Sequence, residues 1–300
     1  MEHFLTTGKT SDKSLRIKTT IDRNRVIQWF PNYDRKELQA TMKISTAALK
    51  GFYIPAAVFV LWVIGSQFSL WNSYIIPPPG EVATAFWQIL SDGSLARHLF
   101  VSFNRVFIGF LAALCLAFPL AVLLGMFKPL SAYFDLTLEA LRHIPPLATV
   151  PMLILWFGIG ELPKLLIVVM ATFFPIFFNT LHGVASCDNK LLEVARSFGM
   201  SQLKTFRQVV LPAAMPAVLV GMRLGLGYSW RALVGAELIA ASSGIGYMIL
   251  DAEQLSRPDL VIIGILTIGI MGTLIDLVFF ALTQKLIPWK VGEDANYGRG

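Results

Sequence analysis

The sequence predicts an all-α membrane protein of six transmembrane helices, with its N- and C-termini in the cytoplasm. Of 300 residues, 55% are hydrophobic and only 15% charged, with a mean hydropathy of +0.63, a balance foreign to soluble domains. The apolar residues come in blocks about 20 long, the length a helix needs to cross a bilayer. The segments between blocks then share the lysines and arginines unevenly. Nineteen fall on one side and three on the other, which makes the richer side cytoplasmic. The formal charge of +6 is therefore no sign of nucleic acid.

Residues 1–50 are polar, hold ten Lys or Arg and have no apolar core. They read as a basic cytoplasmic arm, partly disordered through residue 20, and not as a cleavable signal. The transmembrane domain follows over 51–283, its first span at 51–71 with Trp62 and Trp71 as interface anchors. Pro77 to Gly80 break any helix, and Glu81 to Leu90 restart one outside the bilayer. A second span covers 101–126, interrupted at Pro119. The next helix, from Leu130, carries Glu139 and Arg142, so it should lie at the cytoplasmic surface and end at Pro145-Pro146. The third span, 147–159, is short and contains Pro151. A turn at Gly160-Glu161 leads to the fourth, 164–184, with Pro175 inside. Spans five and six cover 213–233 and 260–282, joined by an external loop with a short amphipathic helix. A polar cytoplasmic tail, 284–300, closes the chain.

Between spans four and five lies a polar island, 188–212. Leu191, Ala195, Phe198, Leu203 and Phe206 recur at helical spacing, while Lys190, Arg196, Lys204 and Arg207 carry charge toward water. Asp188 and Asn189 suit an N-cap, Gly199 a C-terminal stop, and Ser201 a second cap. The pattern predicts a helix, a glycine bend and another helix lying across the membrane face, shaped to fit a groove on a partner.

Glu193, Val194 and Ala195, then Gly199, Val209 and Leu211-Pro212, resemble the EAA loop of ATP-binding-cassette importer permeases. Val194 and Val209 are mild departures from that motif. The similarity runs from about residue 74 to residue 276, through IIPPPGEVATAFW, LRHIPPLATVPMLILWFGIG, FPIFFNTLHGV, LPAAMPAVLVGMRLGLGYSW and SSGIGYMI. It resembles the sulfonate/nitrate/taurine branch, and aliphatic-sulfonate permeases most. The resemblance implies a type I importer permease fold, five core helices plus one leading helix, in a bacterial cytoplasmic (inner) membrane. It implies that Glu193, Val194, Ala195, Gly199, Leu211 and Pro212 couple to an ATPase. It further implies a second copy of the chain, two cytoplasmic ATPase subunits carrying ATP and Mg, and a periplasmic or lipid-anchored binding protein. Alkanesulfonate, taurine, nitrate and a neutral pyrimidine precursor stay open as substrates.

No Ser/His/Asp or Cys/His arrangement supports catalysis, and the four histidines lack metal-ligand spacing. Cys115 and Cys187 make no convincing disulfide. Gly8, Lys9 and Thr10 imitate the end of a phosphate loop, but its first glycine would fall on His3. The chain is thus expected to bind no cofactor itself and to leave ATP hydrolysis to a partner. Candidates for a translocation path are Trp156, Asn179, His182, Arg223, Ser229 and Trp230. Asn179 and His182 make either an inner gate or a pair meeting headgroup water. Arg223, about ten residues into span five, either gives positive potential to an anion path or pairs with a carboxylate such as Asp276. Ser229 and Trp230 either face the path or pack. Arg105 is expected to snorkel outward, and Glu139 and Glu237 pair with no other acid. A gradient-driven secondary transporter is the rival reading, which calls for paired intramembrane acids or inverted repeats.

Overall fold

The computed structural model describes residues 51–287. The basic arm, the Gly-Lys-Thr at residues 8–10 and the tail beyond residue 287 lie outside the described residues. The chain separates into two units, Met1–Trp62 and Val63–Gly300. The described part of the first is apolar helix, in which Phe59 meets Trp62 edge to face, ring centroids 6.1 Å apart. That helix, α1 (Tyr53–Gln67), continues into the second unit. Its 15 residues span about 22 Å, less than a full crossing. The expected first span of 51–71 is shorter because the chain turns after Gln67 and lays the Trp71 ring where a side chain on Gly65 would stand.

Within the second unit the order is α2 (Pro79–Ser91), α3 (Ser94–Met126), α4 (Lys128–Arg142), a single 3-10 turn (Pro146–Thr149), α5 (Val150–Phe157), α6 (Glu161–Ala185), α7 (Asn189–Ser197), α8 (Gln202–Thr205), α9 (Leu211–Ala240), α10 (Ile245–Gln254) and α11 (Pro258–Leu286). Among the described residues, four helices are long and apolar enough to cross a membrane: α3, α6, the run Gln202–Ala240 and α11. Prolines mark the starts of α2, α4, α5, α9 and α11, in the first turn where no N–H is needed. Pro119 does not interrupt the second span as expected; α3 runs through it.

α3 and α6 run parallel. A side chain on Gly109 would press on Val168, and one on Gly125, sixteen residues further on, would press on Val184. Parallel neighbours require the chain between them to return along their length. α4 and α5 make that return, bent by 83° at residues 142–146. Leu138 packs on the cluster of Ala121, Leu124 and Phe177, and the Arg142 guanidinium lies 5.0 Å from the centre of the Phe178 ring. Val150 and Leu153 reach Ile167 and Ala171 at the other end. This corrects one expectation: the α-helix within 147–159 is α5 alone, eight residues and about 12 Å long, too short to cross by itself, and it joins α4 in a bent pair that is either a broken span or a re-entrant loop.

α9 lies antiparallel on α6. A Cβ on Gly183 would fall 2.8 Å from the Ala217 Cβ, one on Gly221 2.7 Å from the Asn179 Cβ, and one on Gly225 3.1 Å from the Thr172 carbonyl. Small residues let the backbones approach, as membrane helices need where no hydrophobic force draws them together. Gly221→Leu must therefore part the two helices. Overpacking of this kind costs about 1–3 kcal/mol or more, read as a lowered melting temperature of the detergent-purified chain, while Leu224→Ala on the outer face leaves it unchanged.

Candidate functional site

Three groups of residues carry chemistry. At one end of α6 the chain makes a foot. The Asp188 side chain accepts the Lys190 N–H at 2.9 Å and caps α7. Gly199 ends it at φ +64, its N–H donating to the Arg196 carbonyl at 2.9 Å while Met200 N–H donates to Ala195 at 3.0 Å. That is a paired Schellman closure, and the positive φ is why glycine stands there. The Ser201 hydroxyl accepts the Lys204 N–H at 3.4 Å. Each cap is where the sequence puts it. The second helix, however, is not separate: α8 passes through a π turn (Phe206–Val210) directly into α9. Leu211 N–H reaches back to the Phe206 carbonyl, and Pro212, the next residue, has no N–H to give. Leu211 and Pro212 are thus the joint between foot and span.

The apolar arc of the foot is wider than the bundle covers. Ala195 is buried, and Leu192 and Phe206 pack on Val184, Val210, Ala214 and Val218. Leu191, Val194 and Leu203 stay exposed, and Phe198 is 78% exposed, with Glu193 and Arg196 exposed beside them. Burial raises the Cys187 thiol pKa, with Asp188 adding to it.

At the opposite end, one helix length away, lies a charge clasp. Arg105 donates to both oxygens of Glu161 (2.6 and 2.7 Å), to Glu237 at 2.7 Å and to the Ser243 carbonyl at 2.6 Å. Glu237 is fully buried and also accepts from the Ser102 hydroxyl (2.8 Å) and the Gly246 N–H (3.0 Å). Gly244, at φ +115, passes so close that a Cβ would occupy the space of the Glu237 carboxylate. Lys164 donates to Glu161 at 2.9 Å. Arg105 therefore does not snorkel outward; it is 4% exposed, because the buried Glu237 carboxylate, the Ser243 carbonyl and the more exposed Glu161 carboxylate replace water. Lys164, expected at a border, is buried too.

The third group sits at mid-depth. Arg223 and Asp276 each lie about one turn from the middle of their helices and form a two-point ion pair, Nε to Oδ1 at 2.6 Å. Their side chains are 41% and 48% exposed. The other path candidates are scattered. The Asn179 amide donates to the Pro175 carbonyl at 2.8 Å, under Gly221. His182 lines a cavity of about 430 Å³ with Ser131, Asp135 and Phe178. Trp156 is exposed at the end of α5, edge to face with Phe157. Ser229 and Trp230 are buried among the described residues, donating to the Leu226 carbonyl at 2.8 Å and the Ile268 carbonyl at 3.2 Å.

The chain and its fold have known counterparts. The model of the binding-protein-dependent transport system inner membrane component family matches residues 106–289. The putative aliphatic sulfonates transport permease protein SsuC of Bacillus subtilis (strain 168) is 37% identical over 242 residues, covering 81% of this chain and 88% of that protein. The taurine transport system permease protein TauC of Escherichia coli (strain K12) is 34% identical over 256 residues, covering 84% and 90%. Among solved structures, an amino acid ABC transporter crystallised with histidines superposes with a TM-score of 0.55 at 14% identity, over 67% of this chain and 97% of that one. The chain belongs to the binding-protein-dependent transport system inner membrane component family, as a permease subunit of an ATP-binding-cassette importer.

Proposed function

We propose that the importer to which this permease belongs carries small aliphatic sulfonates, and that two copies of the chain form its path. In this reading the foot seats Glu193, Val194, Ala195 and Gly199 in a cytoplasmic ATPase subunit, one for each copy. ATP and Mg belong to that subunit, and a binding protein delivers the substrate on the other side of the bacterial cytoplasmic membrane. The observation that carries the reading is the uncovered half of the apolar arc on the foot. Its caps hold a rigid two-helix wedge whose Phe198, Val194 and Leu203 stay exposed among the described residues. A rigid apolar wedge with a charged rim is what a docking surface needs. Sulfonate is supported by the relatives that name aliphatic sulfonates and taurine, itself an aminosulfonate.

Only a ligand with different affinity for two states can shift them; ATP closing the paired ATPases supplies that difference, and the foot passes the motion to α6 and α9. The test is uptake of a radiolabelled alkanesulfonate by proteoliposomes holding permease, ATPase and binding protein. Uptake is expected to require internal ATP and to survive a proton ionophore. Uptake driven by an ion gradient without ATP would return the reading to a secondary transporter.

A further inference from the structure

The half-exposed ion pair at mid-depth is physically out of place on a lipid-facing surface. An arginine at the bilayer centre costs at least about 2.5–3.5 kcal/mol unless it meets protein or water. The exposed face of α9 that holds Arg223 carries a second arginine. Arg231 lies two turns on, toward the end with the clasp, about 12 Å along the axis. Its Nε donates to the Gly227 carbonyl at 3.0 Å, and its guanidinium stands 4.9 Å from the Tyr228 ring centre. Both contacts draw it back toward Arg223. Between the two, Gly227 leaves an open notch: a Cβ there would meet only Arg231 Nη2, at 3.8 Å.

The charges on this strip do not cancel. Asp276 neutralises Arg223, whereas among the described residues no carboxylate lies within ion-pair distance of Arg231. The strip is therefore net positive by one charge, carried by Arg231 toward the clasp end of the same helix face.

We infer that the α9 strip of Arg223, Gly227 and Arg231 is a water-filled anion track, with Arg231 as the outer binding group, the Gly227 notch as the seat of the anionic headgroup, and the Arg223–Asp276 pair as the inner one. This rests on the importer reading for its direction, and it adds where on the chain the anion binds. Two guanidiniums present N–H forks to the oxygens of a sulfonate or other small oxyanion. Asp276 keeps the inner site from holding the anion too tightly, since Arg223 must leave its carboxylate to bind and can return to it afterwards.

The probe is thiol labelling in the assembled transporter, with Cys115 and Cys187 replaced by alanine so that Gly227→Cys is the sole thiol. Two methanethiosulfonate reagents are compared, one ending in an ethanesulfonate and one in a trimethylammonium, each rate divided by that reagent's rate with free mercaptoethanol. The anionic reagent is expected to react about tenfold faster on this scale. Arg231→Gln is expected to remove most of that preference, and excess methanesulfonate to slow the reaction. Leu224→Cys, exposed one turn inward, gives the same measurement on a second site. Equal rates for the two reagents, or no labelling at either position, would overturn the track and leave the strip as a contact with lipid or a second copy. ATP-driven uptake by the cysteine-free assembly is measured separately. Its loss would count against the importer reading, whereas the charge preference alone decides the track.

Discussion

Glu237→Ala is expected to cost about 3–5 kcal/mol, the scale for removing one partner of a buried charge pair. The carboxylate is fully buried and holds Arg105, the Ser102 hydroxyl and the Gly246 N–H. Its loss leaves the Ser102 hydroxyl and the Gly246 amide inside the bundle without that acceptor and leaves Arg105 Nη1 only the Ser243 carbonyl, and each lost bond to a buried group carries its own desolvation cost. Glu237→Gln keeps an acceptor but loses the charge, and should fall between. Gly244→Ala should resemble Glu237→Gln, because the added Cβ takes the carboxylate's place at a φ of +115 that alanine resists. The check is thermal unfolding of the detergent-purified permease. A double-mutant cycle of Glu237→Ala with Gly244→Ala should be strongly non-additive, since the second change strikes a carboxylate already gone. Additive losses would mean that the loop and the carboxylate stabilise the bundle independently.

If the foot docks as proposed, the clasp accounts for how motion there would reach the far end. α3, α6 and α9 touch backbone to backbone through Gly109, Gly125, Gly183, Gly221 and Gly225. The clasp ties the same three helices at the end away from the foot, by Arg105 on α3, Glu161 on α6 and Glu237 on α9. Three rods joined along their length and pinned at one end move together. A push on α7 and the π turn is then carried without loss in side-chain rearrangement, because close-packed interiors transmit displacement.

The foot was legible because every device in it is local. Asp188, Gly199 and Ser201 act on backbone groups within five residues, and capping chemistry is written at that range. The bend between α4 and α5 was not. Hydropathy counts the charges of Glu139 and Arg142 without seeing that Arg142 lies over the ring of Phe178, thirty-six residues on. The clasp was missed for the same reason: its partners stand 56 and 132 residues apart. One signal was present, an acid inside the apolar run VGAELIAA just before SSGIG. An intramembrane acid must find a partner, and glycines beside it are where backbone can come close. For Arg223 the sequence left two roles open. The ion pair with Asp276 is there, and its exposure keeps the other role alive as well.

Gly199→Pro should reduce ATP-driven uptake at least about 100-fold while sparing the bundle. Proline fixes φ near −65°, opposite in sign to the +64 that closes α7, and it deletes the N–H that reaches Arg196. The wedge loses its angle, yet no side chain at this position has a neighbour within 4 Å, so core packing is untouched. Gly199→Ala keeps the N–H and meets open space. Its cost is the left-handed backbone alone, about 1–2 kcal/mol, and uptake should fall only a few-fold. Phe198→Ala separates docking from shape. At 78% exposure the ring contributes little to the fold, but as an aromatic anchor its removal should weaken ATPase binding by about 2 kcal/mol or roughly thirtyfold. Glu193→Arg reverses the charge beside it and should do the same without altering the melting temperature. The measurements are copurification of the ATPase with the permease, and transport-coupled ATP hydrolysis in proteoliposomes. If Phe198→Ala and Glu193→Arg left both at wild-type levels, the uncovered arc would have no role in docking. The motor would then have to grip the chain elsewhere.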